Sequence, residues 1–162
     1  MGGGDTKPPG EEDKKDWRRV LNQNLLSTTT LVDLARPYIE RTNGNIICIS
    51  SSCGSQYYKG APISYSVSKA ALNSYIKSMA SISSKMRING VAPGNIMFEG
   101  STWDKFSKEN PDLVERVLNN TALKRFGTPQ EVAEAVCFLA SERARFITGT
   151  ILEVDGGFTS AF

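Results

Sequence analysis

The stretch IICIS, residues 46–50, is a run of β-branched and apolar residues with no polar alternation before Ser50. A strand of that composition has to be buried on both faces, which places it in a parallel sheet between layers of helix. Helical crossovers are therefore to be sought on either side. Upstream, Trp17, Val20, Leu21, Leu25, Leu31, Val32, Leu34, Ala35, Tyr38 and Ile39 recur at helical spacing from Asp16 onward. Pro37 is expected to kink the last turn, and TNGN (42–45) punctuates before the strand. Downstream, residues 51–63 read as a Ser, Gly and Tyr loop, 64–85 as a long helix, and MRINGVAP (86–93) as a second buried strand closed by Pro93-Gly94. Residues 95–127 read as loop with an amphipathic insert around PDLVERVL (111–118). Thr128, Pro129 and Glu131 form a capping box that opens a helix over VAEAVCFLAS (132–141), and GTILEVDGG (149–157) supplies a third strand and a turn. The alternation predicts right-handed crossovers and a single α/β domain over 1–162, with parallel strands, helices on both faces and 1–15 a flexible N-terminal loop. Three strands are fewer than a stable sheet usually has, and IICIS would be a poor edge, so a neighbouring strand is expected beside it.

Composition narrows the chemistry. Lys and Arg total 19 against 17 Asp and Glu, a balance that points to no nucleic-acid or membrane partner. No apolar run approaches the ~20 residues of a membrane span, and the N-terminus has no apolar signal core, so the expected location is cytoplasmic. There is no histidine, which removes Ser-His and Cys-His nucleophiles and most zinc designs; no metal site is expected. Cys48, Cys53 and Cys137 are odd in number, without close metal-ligand spacing, and read as free buried thiols. Proton chemistry near neutral pH falls to a carboxylate, lysine, cysteine or tyrosine.

Tyr65 and Lys69 answer that requirement. Four residues apart on a helix, they share one face with Cβ atoms roughly 5–6 Å apart. A phenol with a pKa near ~10 is a poor acid–base group at neutral pH, but a cation within ~4–6 Å lowers it. Ser51 and Ser52 lie past the C-terminal end of a buried strand, where open α/β sheets form their ligand crevice. Each feature also has a plain structural reading: Asn24 as an exposed helical amide, the serines as loop hydrogen-bonders, Pro93-Gly94 as a turn, and Ser66, Ser68, Ala70, Ala71 and Ser74 as small residues for close packing.

Taken together, Asn24 in DWRRVLNQNLL (16–26), GNIICISSSCG (44–54), YSVSKAAL (65–72), RINGVAPGNI (87–96), RFGTPQEVAEAV (125–136) and FLASERARFITGTILEVDGG (138–157) resemble the C-terminal portion of a short-chain dehydrogenase/reductase, in the family's order and approximate spacing. The resemblance implies a Rossmann-like α/β sheet truncated to about three core strands. It also implies an NAD(P)-dependent oxidoreductase that interconverts a carbonyl and a secondary alcohol. Tyr65 would be the general acid/base, Lys69 would lower its pKa and hold the nicotinamide ribose, and Ser51 would orient the substrate oxygen, with Ser52 a stand-in. Asn24 would hold a water behind Lys69, and Pro93, Gly94 and the backbone of Ile96 would line the nicotinamide. The cofactor would be NAD or NADP, the substrate a small carbonyl or alcohol, and the assembly a homodimer or homotetramer packed through the small-residue helix.

The family's glycine-rich phosphate loop is absent from the sequence, and Gly2–Gly4 fall where the segment after the family's fourth strand would lie. The chain is thus expected to be a fragment or a late-start reading that alone binds dinucleotide weakly. The alternative function is an inactive piece that retains only the subunit-packing surface. Smaller departures are a Ser51–Tyr65 gap one residue longer than usual, Cys48 where the family often has Asn, and Phe98 where a Thr usually follows Pro-Gly. Trp103 and Phe106, with Phe98, are expected to pack down a lid over 97–120.

Overall fold

The computed structural model describes residues 6–160. Gly2–Gly4 lie outside the described residues. Helix α1 (Lys14–Leu21) runs through one π-helical turn, Asn22–Leu26, into α2 (Ser27–Arg41). Strand β1 (Asn45–Ile49), a short 3-10 turn (Ser52–Gly54), α3 (Ile63–Ile82) and β2 (Arg87–Pro93) follow. Then come α4 (Thr102–Glu109), α5 (Pro111–Asn120), α6 (Pro129–Ala140), a second 3-10 turn (Glu142–Ala144) and β3 (Ile151–Val154).

The strands form one parallel sheet in the order β1-β2-β3, with Ile46 opposite Ile88 and Gly90 opposite Ile151. Alternation along the strands sends residues to two different layers. Cys48 and Ile88 join Val32 of α2, Leu72, Ile76 and Met79 of α3, and Met86 in one buried cluster. Val91 joins Leu139 of α6 and Ala144 on the other face, with Ile47, Leu152 and Val154 packed against them. Gly90 lets α3 sit close: a Cβ there would stand 2.7 Å from Ile151 Cδ1 and 3.1 Å from Ile76 Cδ1. These two faces are the α/β architecture expected of buried parallel strands. Among the described residues β1 pairs only with β2, and Ile49 at its end is half exposed.

Several boundaries differ from the sequence expectation. The helix begins at Lys14 because Asp13 caps it, accepting from Lys15 N and Asp16 N while the Asp16 carboxylate returns to Asp13 N. Before it, Lys7 Nζ pairs with the Asp13 carboxylate at 2.6 Å. α2 continues through Pro37 to Arg41. Region 95–127 holds two helices: Ser101 Oγ accepts from Asp104 N at 3.1 Å, and Asn110 Oδ1 accepts from Leu113 N at 3.1 Å ahead of Pro111. Of the three thiols only Cys48 is fully buried; Cys53 is partly buried and Cys137 faces solvent on α6. No described helix is long and apolar enough to cross a membrane.

Candidate active site

The chain leaves β1 at the C-terminal edge of the sheet, where parallel strands end in a crevice. Ser50 N still reaches Val91 O at 2.7 Å, and Ser51 then turns the chain, its Oγ accepting from Cys53 N at 3.2 Å. This turn is pressed against α3. A Cβ on Gly54 would come within 2.8 Å of the Lys69 carbonyl carbon and 2.9 Å of its oxygen, so only glycine permits the approach. The contact brings Ser51 to the first two turns of α3, which carry Tyr65 and Lys69.

Tyr65 is largely buried, and burial pushes its phenol above the usual tyrosine pKa; a hydrogen bond with Ser51 opposes the shift and Cys53 adds slightly to it. The Ser52 hydroxyl acts on Tyr58 instead. Of the two candidate serines, Ser51 is the one beside Tyr65. Lys69 is 5% exposed, with Nζ 5.7 Å from the centre of the Tyr65 ring, donating to Ile49 O at 3.0 Å. Burial lowers its pKa, while the nearby thiols Cys48 and Cys53 favour the cation. Burial also raises the Cys48 thiol to about 11.

The expected depression of the Tyr65 phenol by Lys69 is therefore not found. Desolvation by burial dominates, and the Lys69 ammonium gives its hydrogen bond to the Ile49 carbonyl rather than to the phenol. Among the described residues no carboxylate pairs with Lys69, which leaves ammonium donors uncommitted.

Asn24 is not an exposed amide. It is 2% exposed, in the π-helical turn that packs on α3. Its Nδ2 donates to Val20 O at 3.0 Å, and its Oδ1 is buried without a protein partner. π-turns of this kind are frequent at functional sites.

Pro93 and Gly94 close β2 beside the end of β1. Gly94 N donates to Val154 O at 3.0 Å, and a Cβ on Gly94 would lie 2.5 Å from Asp155 Cβ. Ile96 makes a parallel bridge with Gly127 through Asn95 O and Met97 N, which leaves the Ile96 N–H and C=O out of that pairing. Trp103 packs on Phe106 and Phe126, with ring centres 5.7 and 5.1 Å apart, as expected for a packed-down lid. Phe98, by contrast, is 54% exposed, because its neighbours turn to cap α4.

Sequence reasoning brought Ser51, Tyr65 and Lys69 to one place and put Asn24 on a neighbouring element. It missed the π-turn and two residues: Cys53, within electrostatic reach of Tyr65 and Lys69, and Glu12, which reaches the start of α3. Cys53 could have been found from its place two residues after Ser51. Glu12, in the charged run Glu11-Glu12-Asp13, gave no such signal.

The sequence model described as enoyl-(acyl carrier protein) reductase matches residues 2–159. The chain belongs to the short-chain dehydrogenase/reductase family. An isoepoxydon dehydrogenase of Penicillium expansum is 34% identical over 150 residues, covering 91% of this chain and 58% of the relative. A crystal structure of an oxidoreductase of this family from Burkholderia thailandensis matches 99% of this chain and 62% of its own at a TM-score of 0.85 and 32% identity. A 3-oxoacyl-[acyl-carrier protein] reductase from Brucella melitensis, solved with bound NAD, matches 93% of this chain and 55% of its own at a TM-score of 0.81 and 27% identity. The fold is thus Rossmann-like, as the motifs implied, and the chain spans about 58% of the length of the curated relatives it matches.

Proposed function

We propose that this chain supplies the catalytic half of an NAD(P)-dependent oxidoreductase that interconverts a carbonyl and a secondary alcohol. The observation that carries the reading is the meeting of a buried Tyr65 phenol, the Ser51 hydroxyl and the Lys69 ammonium at the C-terminal edge of the sheet. The residues present fit a nicotinamide cofactor. Lys69 is a buried cation with donors to spare for ribose hydroxyls, Ile96 offers an unpaired backbone N–H and C=O, and Pro93-Gly94 form a tight strand end beside them. NAD and NADP are both open, because neither the phosphate loop nor the residues that discriminate between them are in the sequence.

When bound, the cofactor supplies or accepts the hydride at the carbonyl carbon. In reduction, Ser51 donates a hydrogen bond to the substrate oxygen and fixes it against Tyr65. Tyr65 gives its proton to that oxygen as negative charge develops there, so the ketone gains one hydride and one proton and becomes the alcohol. In oxidation Tyr65 takes the hydroxyl proton back. Burial favours the phenol form, which is the form reduction needs. Lys69 would hold the ribose and pass a proton toward Tyr65, and Asn24, whose buried Oδ1 has no partner among the described residues, would hold a water behind Lys69.

The decisive experiment follows NAD(P)H absorbance with a panel of ketones for the chain and for Tyr65→Phe. Turnover that survives the substitution unchanged contradicts the mechanism. A second reading is an inactive piece that keeps only the subunit-packing surface. It is favoured by Leu31, Leu34 and Tyr38, each 67% exposed and at helical spacing on α2, which present an apolar face suited to a second copy. In either case the assembly is a homodimer or homotetramer. No dinucleotide binding and no turnover, with self-association intact, would select the second reading.

A further inference from the structure

Helix α3 starts without a cap of its own. Its N-cap residue is Pro62, whose side chain cannot accept, and the first intrahelical bond is Ser66 N to Pro62 O at 3.1 Å. The N–H groups of Ile63 and Ser64 would be orphaned, as the opening donors of every helix are unless something outside the helix accepts from them. Here one carboxylate from a distant part of the chain does so. Glu12 Oε2 accepts from Ile63 N at 3.2 Å, and Glu12 Oε1 accepts from Ser64 N at 2.8 Å and Ser64 Oγ at 2.5 Å. Ser64 is fully buried beneath this contact. A carboxylate at a helix N-terminus is favoured by the helix dipole as well as by its hydrogen bonds. The capping box at Asp13 fixes the backbone from which Glu12 reaches.

We propose that Glu12 is a positioning residue for Tyr65: its carboxylate closes the open N-terminus of α3 and fixes the first helical turn, on which the Tyr65 side chain depends for its place beside Ser51. This rests on the reading of Tyr65 given above. Tyr65 directly follows Ser64, and among the described residues the Glu12 carboxylate is what holds the first two amides of the turn that carries it. With Glu12 removed the turn frays, and the phenol leaves the buried position against Ser51.

The test is amide hydrogen exchange together with the ring signals of ¹³C-tyrosine-labelled protein, in which Tyr65 is assigned by its loss in Tyr65→Phe. Glu12→Ala is expected to speed exchange at Ile63 and Ser64 by about tenfold, the factor that corresponds to roughly 1.4 kcal/mol, while Val91 in β2 is unchanged. The Tyr65 signal should move toward that of an exposed tyrosine. Glu12→Gln, which keeps an acceptor oxygen, should restore most of the exchange protection and the Tyr65 signal. Should Glu12→Ala fail to fold, Ser64→Ala removes one of the three donors and should move Tyr65 the same way by less. A Tyr65 signal that stays in place while the two amides exchange faster overturns the proposal, as does uniform acceleration across the strands. These readouts do not need turnover. If activity survives Tyr65→Phe, the catalytic reading fails while the placement of Tyr65 by Glu12 is judged separately.

Discussion

The two halves of helix α3 bury different kinds of surface. Toward its C-terminus Leu72, Ile76 and Met79 are buried among apolar neighbours, whereas toward its N-terminus the buried residues are Ser64, Ser68 and Lys69. Apolar side chains need only shape and volume. Buried polar ones need partners, and each has one: Glu12 for Ser64, the Tyr65 carbonyl for Ser68, and the Ile49 carbonyl for Lys69. One half of the helix is built for cohesion, and the other holds the groups proposed for catalysis in place at some cost in burial. Substitutions in the two halves should therefore be separable, moving activity in one and stability in the other.

The largest separation is expected from Tyr65→Phe. It removes only a phenolic oxygen and should lower turnover by about 10²–10⁴-fold, the usual worth of general acid–base catalysis, with the unfolding midpoint nearly unmoved. The pH profile sharpens this. Reduction needs the phenol and oxidation the phenolate, and the Tyr65 pKa is raised. Reduction should stay level through neutral pH and fall only above the ordinary tyrosine value of ~10, while oxidation climbs over that same range. A reduction rate that falls on the acid side of neutrality would contradict the assignment.

In the opposite half, Ile76→Ala empties a fully buried site and should cost about 2–5 kcal/mol in denaturant unfolding, with the kcat of the remaining folded protein little changed. A smaller effect, shared between the halves, is expected at Gly54. Alanine there meets the Lys69 backbone at 2.8 Å, so the Ser51 turn must back away from Tyr65 at a cost of about 1–3 kcal/mol, with a clear loss of kcat. Ser68→Ala is the smallest. Its hydroxyl only returns to the Tyr65 carbonyl at 2.7 Å, and thermal unfolding should report a loss of less than about 1 kcal/mol.

The same contrast explains what could be read from the sequence. IICIS and RINGVAP announced themselves because double-sided burial leaves an uninterrupted apolar signature, and Thr128-Pro129-Gln130-Glu131 announced α6 because its capping box is local. Helices α4 and α5 were equally local, with Ser101…Asp104 and Asn110-Pro111 as start signals; the amphipathic insert at 111–118 marked α5, while α4 was passed over in the loop reading of 95–127. Tyr65 and Lys69 could be placed on one face from spacing alone. Three features could not be read. The π-turn at Asn24 depends on how α1 packs against α3; the upward shift of Tyr65 depends on how deeply it is buried; and Glu12 meets Ser64 across 52 residues.

The most direct test of the account is the ionisation of Tyr65 itself, followed through the ring carbons of ¹³C-tyrosine-labelled protein as pH is raised, with Tyr65→Phe to identify its signal. A phenol held in a buried site against Ser51 should remain protonated past the ordinary tyrosine value of ~10. Titration of Tyr65 at or below that ordinary value would mean that the phenol is not held in the buried site assigned to it.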